Sequence, residues 1–130
     1  HVVQPVTMVG DTLVIYSLGN FLSAQKELFK LVGLLVSLDV VKTETPLGAK
    51  ITLENVTGTL LYNPRRSHLG RYVVVPFDVM TEDILKDYTT VHSRFAAHVK
   101  KDDTIDITPP AQVREADYSA QVTPHRRGGE

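Results

Sequence analysis

Apolar positions recur along most of this chain at the two-residue step of strands, and late in the chain at the three- and four-residue step of a helix. Residues 2 to 9, Val-Val-Gln-Pro-Val-Thr-Met-Val, are extended by composition. Pro5 has no N–H to give, so it places this strand at an edge or breaks it in two. Gly10-Asp11 predicts a hairpin turn into Thr12 to Tyr16, where Leu13-Val14-Ile15 reads as a short buried strand. Phe21 to Lys30 leaves two readings, one or two helical turns capped by Ser23 or a polar loop. Leu31 to Val41 is nearly all apolar, with Leu34, Val36, Leu38 and Val40 on one parity and Ser37 and Asp39 on the other. That predicts a central strand, covered on one face and nearly covered on the second. After a turn at Thr43 to Gly48, Ala49 to Glu54 alternates, with Ala49, Ile51 and Leu53 inward. Val56 to Tyr62 carries on with Gly58 as a bulge or bend, and Arg71 to Phe77 follows, with Pro76 marking an edge or an end.

Thr81 opens the helical stretch. Glu82 and Asp83 fall in its first turn, where negative charge favours the positive end of the helix dipole. Ile84, Tyr88, Val91, Phe95 and Val99 make one apolar stripe to lie on the sheet, and Lys100-Lys101 closes the last turn. His92 and His98 flank the stripe six positions apart, which suits surface or boundary residues better than metal ligands. A short strand is expected at Ile105 to Ile107. The predicted fold is α+β: an antiparallel β-meander of about five or six strands with one packed C-terminal helix. Residues 1–110 form the domain, and 111–130 are an extension expected to be mobile or held only by its apolar residues.

Composition narrows the function. The chain has 130 residues, which suits one domain, and its 42% hydrophobic and 22% charged residues are ordinary for a soluble globular protein. A formal net charge of -1 gives no broad field for nucleic acid or an anionic membrane, and the aromatics do not interleave with basic residues. Having no cysteine, the chain has no disulfide, thiolate metal site or cysteine nucleophile. No apolar run approaches the roughly 20 residues that span a bilayer, and His1-Val2-Val3 lacks the basic leader of a signal peptide. There is no Gly-x-Ser-x-Gly elbow, phosphate-binding glycine loop or His-Glu-x-x-His helix. In the loop Asn63 to Gly70, Arg65, Arg66 and His68 either meet an anion or form a plain solvated tip. Asn55-Val56-Thr57 matches a glycosylation pattern and is read as chance.

The most informative stretch is Tyr16-Ser17-Leu18-Gly19-Asn20-Phe21. Gly-Asn stops the preceding strand sharply, and Ser17, Asn20 and then Gln25 bring polar groups to its carboxyl end, where sites collect in layered α/β folds. The plain alternative is a strand-exit turn whose Ser and Asn bond their own backbone. With His1-Val2-Val3-Gln4-Pro5 upstream, the stretch resembles the CapA-like family of bacterial capsule-synthesis proteins associated with poly-γ-glutamate. Those proteins look like calcineurin-type metallophosphoesterases in fold. Their first segment reads Gly-x-His-Pro-His-Val-x-Gln-Pro, so His1 matches its last histidine, and the resemblance covers residues 1 to 41 well.

The resemblance implies that the chain begins inside the motif, as the C-terminal part of a layered α/β metallophosphoesterase-like domain. It implies His1 as a metal ligand and Gln4, Ser17 and Asn20 as residues lining the site, with no catalytic residue in this piece. Divalent metal ions are then expected in the full-length protein and none in the fragment alone, since the other ligands lie upstream. Partners would be the upstream half of the same protein and membrane proteins of capsule synthesis, at the extracellular face of the membrane, with no nucleic acid. Self-association of the piece is expected too, hiding a bare sheet face that carries Val14, Leu35, Val41, Val73 and Val75. Two other functions stay open: part of a metal-dependent phosphoesterase with another substrate, and a non-catalytic interaction module for a protein or polymer.

Overall fold

Gly10, with φ +59, turns strand β1 (Val6–Val9) back onto β2 (Thr12–Ile15), and Val9 pairs directly with Thr12. The computed structural model describes residues 1–64 and 71–112. Among them the fold is α+β. The hairpin β1–β2 is one sheet, and a four-stranded sheet holds β3 (Val32–Thr45), β4 (Gly48–Tyr62), β5 (Val75–Pro76) and β6 (Asp106–Ile107). Two helices complete it, the short α1 (Leu28–Leu31) and α2 (Tyr88–Val99). Pro5 does break the first extended segment: Val3 bridges Leu18, and regular pairing resumes at Val6.

The expected single antiparallel meander is therefore replaced by two sheets, and β6 runs parallel to β4. The centre of the larger sheet is β4. It takes β3 along one edge, and β5 and β6 along the other, at Leu61–Tyr62 and Thr57–Gly58. β3 is an edge strand over most of its length. Its dense apolar sequence reflects burial at its first residues, Val32 to Leu34, while Leu35 and Val40 are exposed. Gly58 makes no bulge. Its missing Cβ leaves room for neighbours, because a Cβ there would lie 2.9 Å from Ile105 Cδ1 and 3.0 Å from Leu34 Cδ1.

The irregularity falls at Leu38, where the register shifts between Ser37 and Asp39 and one residue of β3 opposes Asn55 and Val56 of β4. Asn55 takes the left-handed conformation, φ 52, and its Nδ2 donates to Asp39 Oδ2 at 2.7 Å, bracing the bulge. Beyond it the hairpin runs on as a two-stranded arm to a tip at Pro46-Leu47. Ala49, Ile51 and Leu53 share a face with Val40, the strand parity of Leu34 and Val36, but they are exposed, with no layer beneath them among the described residues. Of the residues expected on the bare opposite face, Leu35 alone is exposed. Val14, Val41, Val73 and Val75 are half-buried.

The helix starts at Tyr88 rather than Thr81. Ile84 and Leu85 each donate to the Thr81 carbonyl at 3.1 Å, making one turn, and then Asp87 at φ 56 breaks the path. Glu82 does serve a helix start, though not the expected one: its carboxylate accepts the Asp87 N–H at 2.8 Å. From Tyr88 the stripe holds, with Tyr88, Val91 and Val99 buried and Phe95 half-buried. They join Val3, Val6, Leu34, Leu60, Phe77 and Ile105 in one core. His92 is buried too, against expectation. Its Nε2 lies 2.9 Å from the Thr108 carbonyl and its ring 5.6 Å from that of Phe77. The β1–β2 hairpin is tied to the exit of α2 by the Val6–Lys100 bridge and by the Thr7 hydroxyl, which donates to Asp102 Oδ2 at 2.7 Å.

Candidate functional site

The segment after β2 does not leave the protein as a loose loop. It docks between the first residues of the chain and the start of β3. Gln4 N–H donates to the Ser17 carbonyl at 3.0 Å, Leu34 N–H to the Leu18 carbonyl at 2.8 Å, and Gly19 bridges Gly33. The two glycines are what permit this approach. A Cβ on Gly19 (φ +68) would sit 2.8 Å from the Val32 carbonyl oxygen, and one on Gly33 would overlap the Asn20 carbonyl.

Backbone pairing thus brings His1, Gln4, Ser17 and Asn20 into one neighbourhood, and the side chains of Ser17 and Asn20 are engaged within it. Ser17 Oγ accepts the Gly19 N–H at 3.2 Å, closing a local turn. Asn20 Nδ2 donates to the Lys30 carbonyl at 2.9 Å and to the His1 carbonyl at 3.3 Å. Gln4 is half-buried and His1 exposed. The Phe21 to Lys30 stretch resolves as a loop as far as Glu27, with Ser23 Oγ accepting the Gln25 N–H, followed by the single turn of α1.

Sequence reasoning passed over Asn63. It is wholly buried, and its Nδ2 donates at 3.2 Å to both the Asn20 and the Leu31 carbonyls, while its own N–H donates to Leu31 at 2.8 Å. Its Oδ1 is buried without a hydrogen-bond partner among the described residues. A polar residue directly after the run Leu60-Leu61-Tyr62 was the signal in the sequence.

Beside this cluster lies a cleft of about 350 Å³ between the N-terminal segment and α2, walled by Val2, Val3, Phe29 and Phe95, with Arg94 and His98 as its charged or titratable members. At its edge Lys30 Nζ stands 5.5 Å from the Phe29 ring centre and 3.2 Å from Glu27. The Glu27 carboxyl lies below its usual pKa because of a backbone hydrogen bond and then Lys30. A second recess, of about 430 Å³, lies between the turn after β5 and the start of α2, with Asp78 and Glu82 on its wall. Among the described residues the cleft offers apolar contact and charge, with the His98 imidazole able to act as a base and no hydroxyl, thiol or carboxylate on its walls.

Two other titrating groups are structural. Burial lowers the His92 pKa, opposed by its bond to Thr108, and Asp102 is lowered to about 2 by hydrogen bonds from Thr104 and then Thr7. Among the described residues no three His, Asp or Glu side chains converge as metal ligands would, and no helix is long and apolar enough to cross a membrane. The Arg65, Arg66 and His68 loop and the extension from residue 113 lie outside the described residues. No known protein family, curated protein or solved structure matches the chain.

Proposed function

We propose that this chain is the C-terminal portion of a CapA-like protein, acting in poly-γ-glutamate capsule synthesis or export at the extracellular face of the membrane. The observation that supports this reading is the way its two motif segments meet. Val3 bridges Leu18, Gln4 bonds Ser17, and the Asn20 carbamoyl reaches the His1 carbonyl at 3.3 Å. On this reading the segment from Tyr16 to Phe21 is a buttress. It fixes the backbone at His1, so that the imidazole stands where ligands from upstream residues join it. The residues described here do not make a metal site by themselves, and no chemical step is assigned to them.

The test uses the full-length protein. Metal analysis should find divalent ions, and His1→Ala should weaken their binding by about tenfold or more, as loss of a ligand or its support does. Surface γ-glutamate polymer should fall in cells carrying the same variant. A full-length protein without divalent metal would overturn the proposal. If the metal-loaded protein cleaves a generic phosphodiester while His1→Ala cells keep their polymer, the other phosphoesterase reading replaces it.

A further inference from the structure

The arm beyond the Leu38–Asn55 bulge carries an apolar face that no described part of the chain covers. The cross-strand pairs Val40–Leu53, Lys42–Ile51 and Glu44–Ala49 share that face. Val40 and Ile51 are each 65% exposed, Leu53 is 43% exposed, and Leu47 at the tip is wholly exposed. The opposite face carries Asp39, Glu54, Thr43, Lys50 and Thr52, with Val41 as its one aliphatic residue. A two-stranded ribbon is marginal alone in water, and one with an unsupported apolar face calls for a second layer.

We propose that this layer is the arm of a second copy, packed face to face about a two-fold axis. The charge pattern selects that occupant. The face holds one cation and one anion, Lys42 and Glu44, their charged groups 2.7 Å apart in a single chain. A two-fold axis lying in the interface and crossing the strands at the level of Thr43 sets each residue against the one equally far on the other side. Lys42 of each copy then meets Glu44 of the other. At a rise of about 3.4 Å per residue, the same operation lays the tip Leu47 of each copy over Val40 and Leu53 of its partner. A face with net charge would favour a partner of opposite charge, whereas this one is neutral and self-complementary. The contact is small, so association depends on concentration. It is separate from the proposed capsule role and does not rest on it.

Sedimentation velocity from about one to a few hundred micromolar, spanning weak to moderate association, should show a monomer passing to a dimer. Ile51→Asp should stay monomeric with an unchanged far-ultraviolet spectrum. Lys42→Glu alone and Glu44→Lys alone should each weaken the dimer at least tenfold, because each sets like charges opposite one another. An equimolar mixture of those two variants should recover it as a heterodimer. A protein monomeric throughout the range overturns the proposal. So does a mixture no tighter than either variant, which would mean undirected apolar adhesion.

Discussion

Asn63 and Asn20, 43 positions apart in sequence, are joined by a 3.2 Å hydrogen bond from the carbamoyl of the first to the carbonyl of the second. Through it the base of the large hairpin holds the strand-exit turn, and the Asn20 side chain passes that hold on to Lys30 and His1. Asn63→Ala removes both donors while leaving the Asn20 and Leu31 carbonyls in place. The Leu31 carbonyl keeps the Asn63 N–H, so the loss falls on the Asn20 carbonyl, and a cost of roughly 1–3 kcal/mol is expected for a polar group left without its partner. Urea unfolding measures it. An unchanged midpoint would show that the turn docks without the clamp.

Gly33→Ala should be more damaging than Gly58→Ala. At Gly33 the added methyl meets the Asn20 backbone carbonyl, which cannot yield without undocking the turn. At Gly58 it meets the ends of Ile105, Leu34 and Ile107, which can turn aside. A loss of roughly 2–4 kcal/mol is expected at Gly33 and about half of that at Gly58. Thermal melts of the two variants decide, and the reverse order would refute the close approach.

Leu34→Ala and Leu38→Ala should part company, although the two leucines share a parity. Leu34 is buried at 4% exposure and belongs to the core, so its truncation should cost roughly 2–5 kcal/mol. Leu38 is half-buried at the bulge, and about 1 kcal/mol is expected there, within the ordinary range for point variants. Equal losses in chemical denaturation would place the edge of the core further out along the arm.

His92 should make stability depend on pH. Its folded pKa lies below the ordinary 6.5 because burial disfavours the charged ring. The unfolded chain therefore binds the proton more readily. The contribution is complete above about 6.5 and declines as pH falls from there towards the lowered folded value. His92→Gln, which can keep a donor towards the Thr108 carbonyl, should flatten that decline. Denaturation midpoints between pH 5 and 7.5, flanking the ordinary histidine range, provide the measurement, and an equal slope in both proteins would count against it.

The sequence showed which residues share a face more readily than it showed whether anything lies against that face. The alternation at Ala49, Ile51 and Leu53 read those three as inward; they do share one face, that of Val40, but it is exposed, because a period of two cannot tell a covered face from an uncovered one. The run from Leu31 to Val41 suggested a central strand because it is apolar on both parities. In the structure it is buried only near its start, where Leu18 and Gly19 lie beside it. Gly10-Asp11 and the stripe from Tyr88 to Val99 were legible, since each is settled by local geometry. The start of α2 was not: Thr81, Glu82 and Asp83 form a good first turn, and the left-handed Asp87 that ends it carries no periodic signal. His92 and Asn63 were missed for a related reason. Both are polar residues buried by partners distant in sequence, Thr108 for one and Asn20 for the other.

The pairing of β6 with β4 bears on the order in which the chain assembles. β3 and β4 meet across Pro46-Leu47 and β1 and β2 across Gly10-Asp11, so both hairpins close over short loops and should form early. The Thr59 and Thr108 hydroxyls, 2.9 Å apart, belong to positions 49 residues distant, and the Thr108 N–H reaches the Gly58 carbonyl only after α2 has crossed back. That contact is the late clasp of the fold, expected to add little to the rate of collapse and much to the lifetime of the native state. Loosening it with Thr108→Val should therefore speed unfolding and leave refolding nearly unchanged. Stopped-flow kinetics would show a shift confined to the unfolding limb.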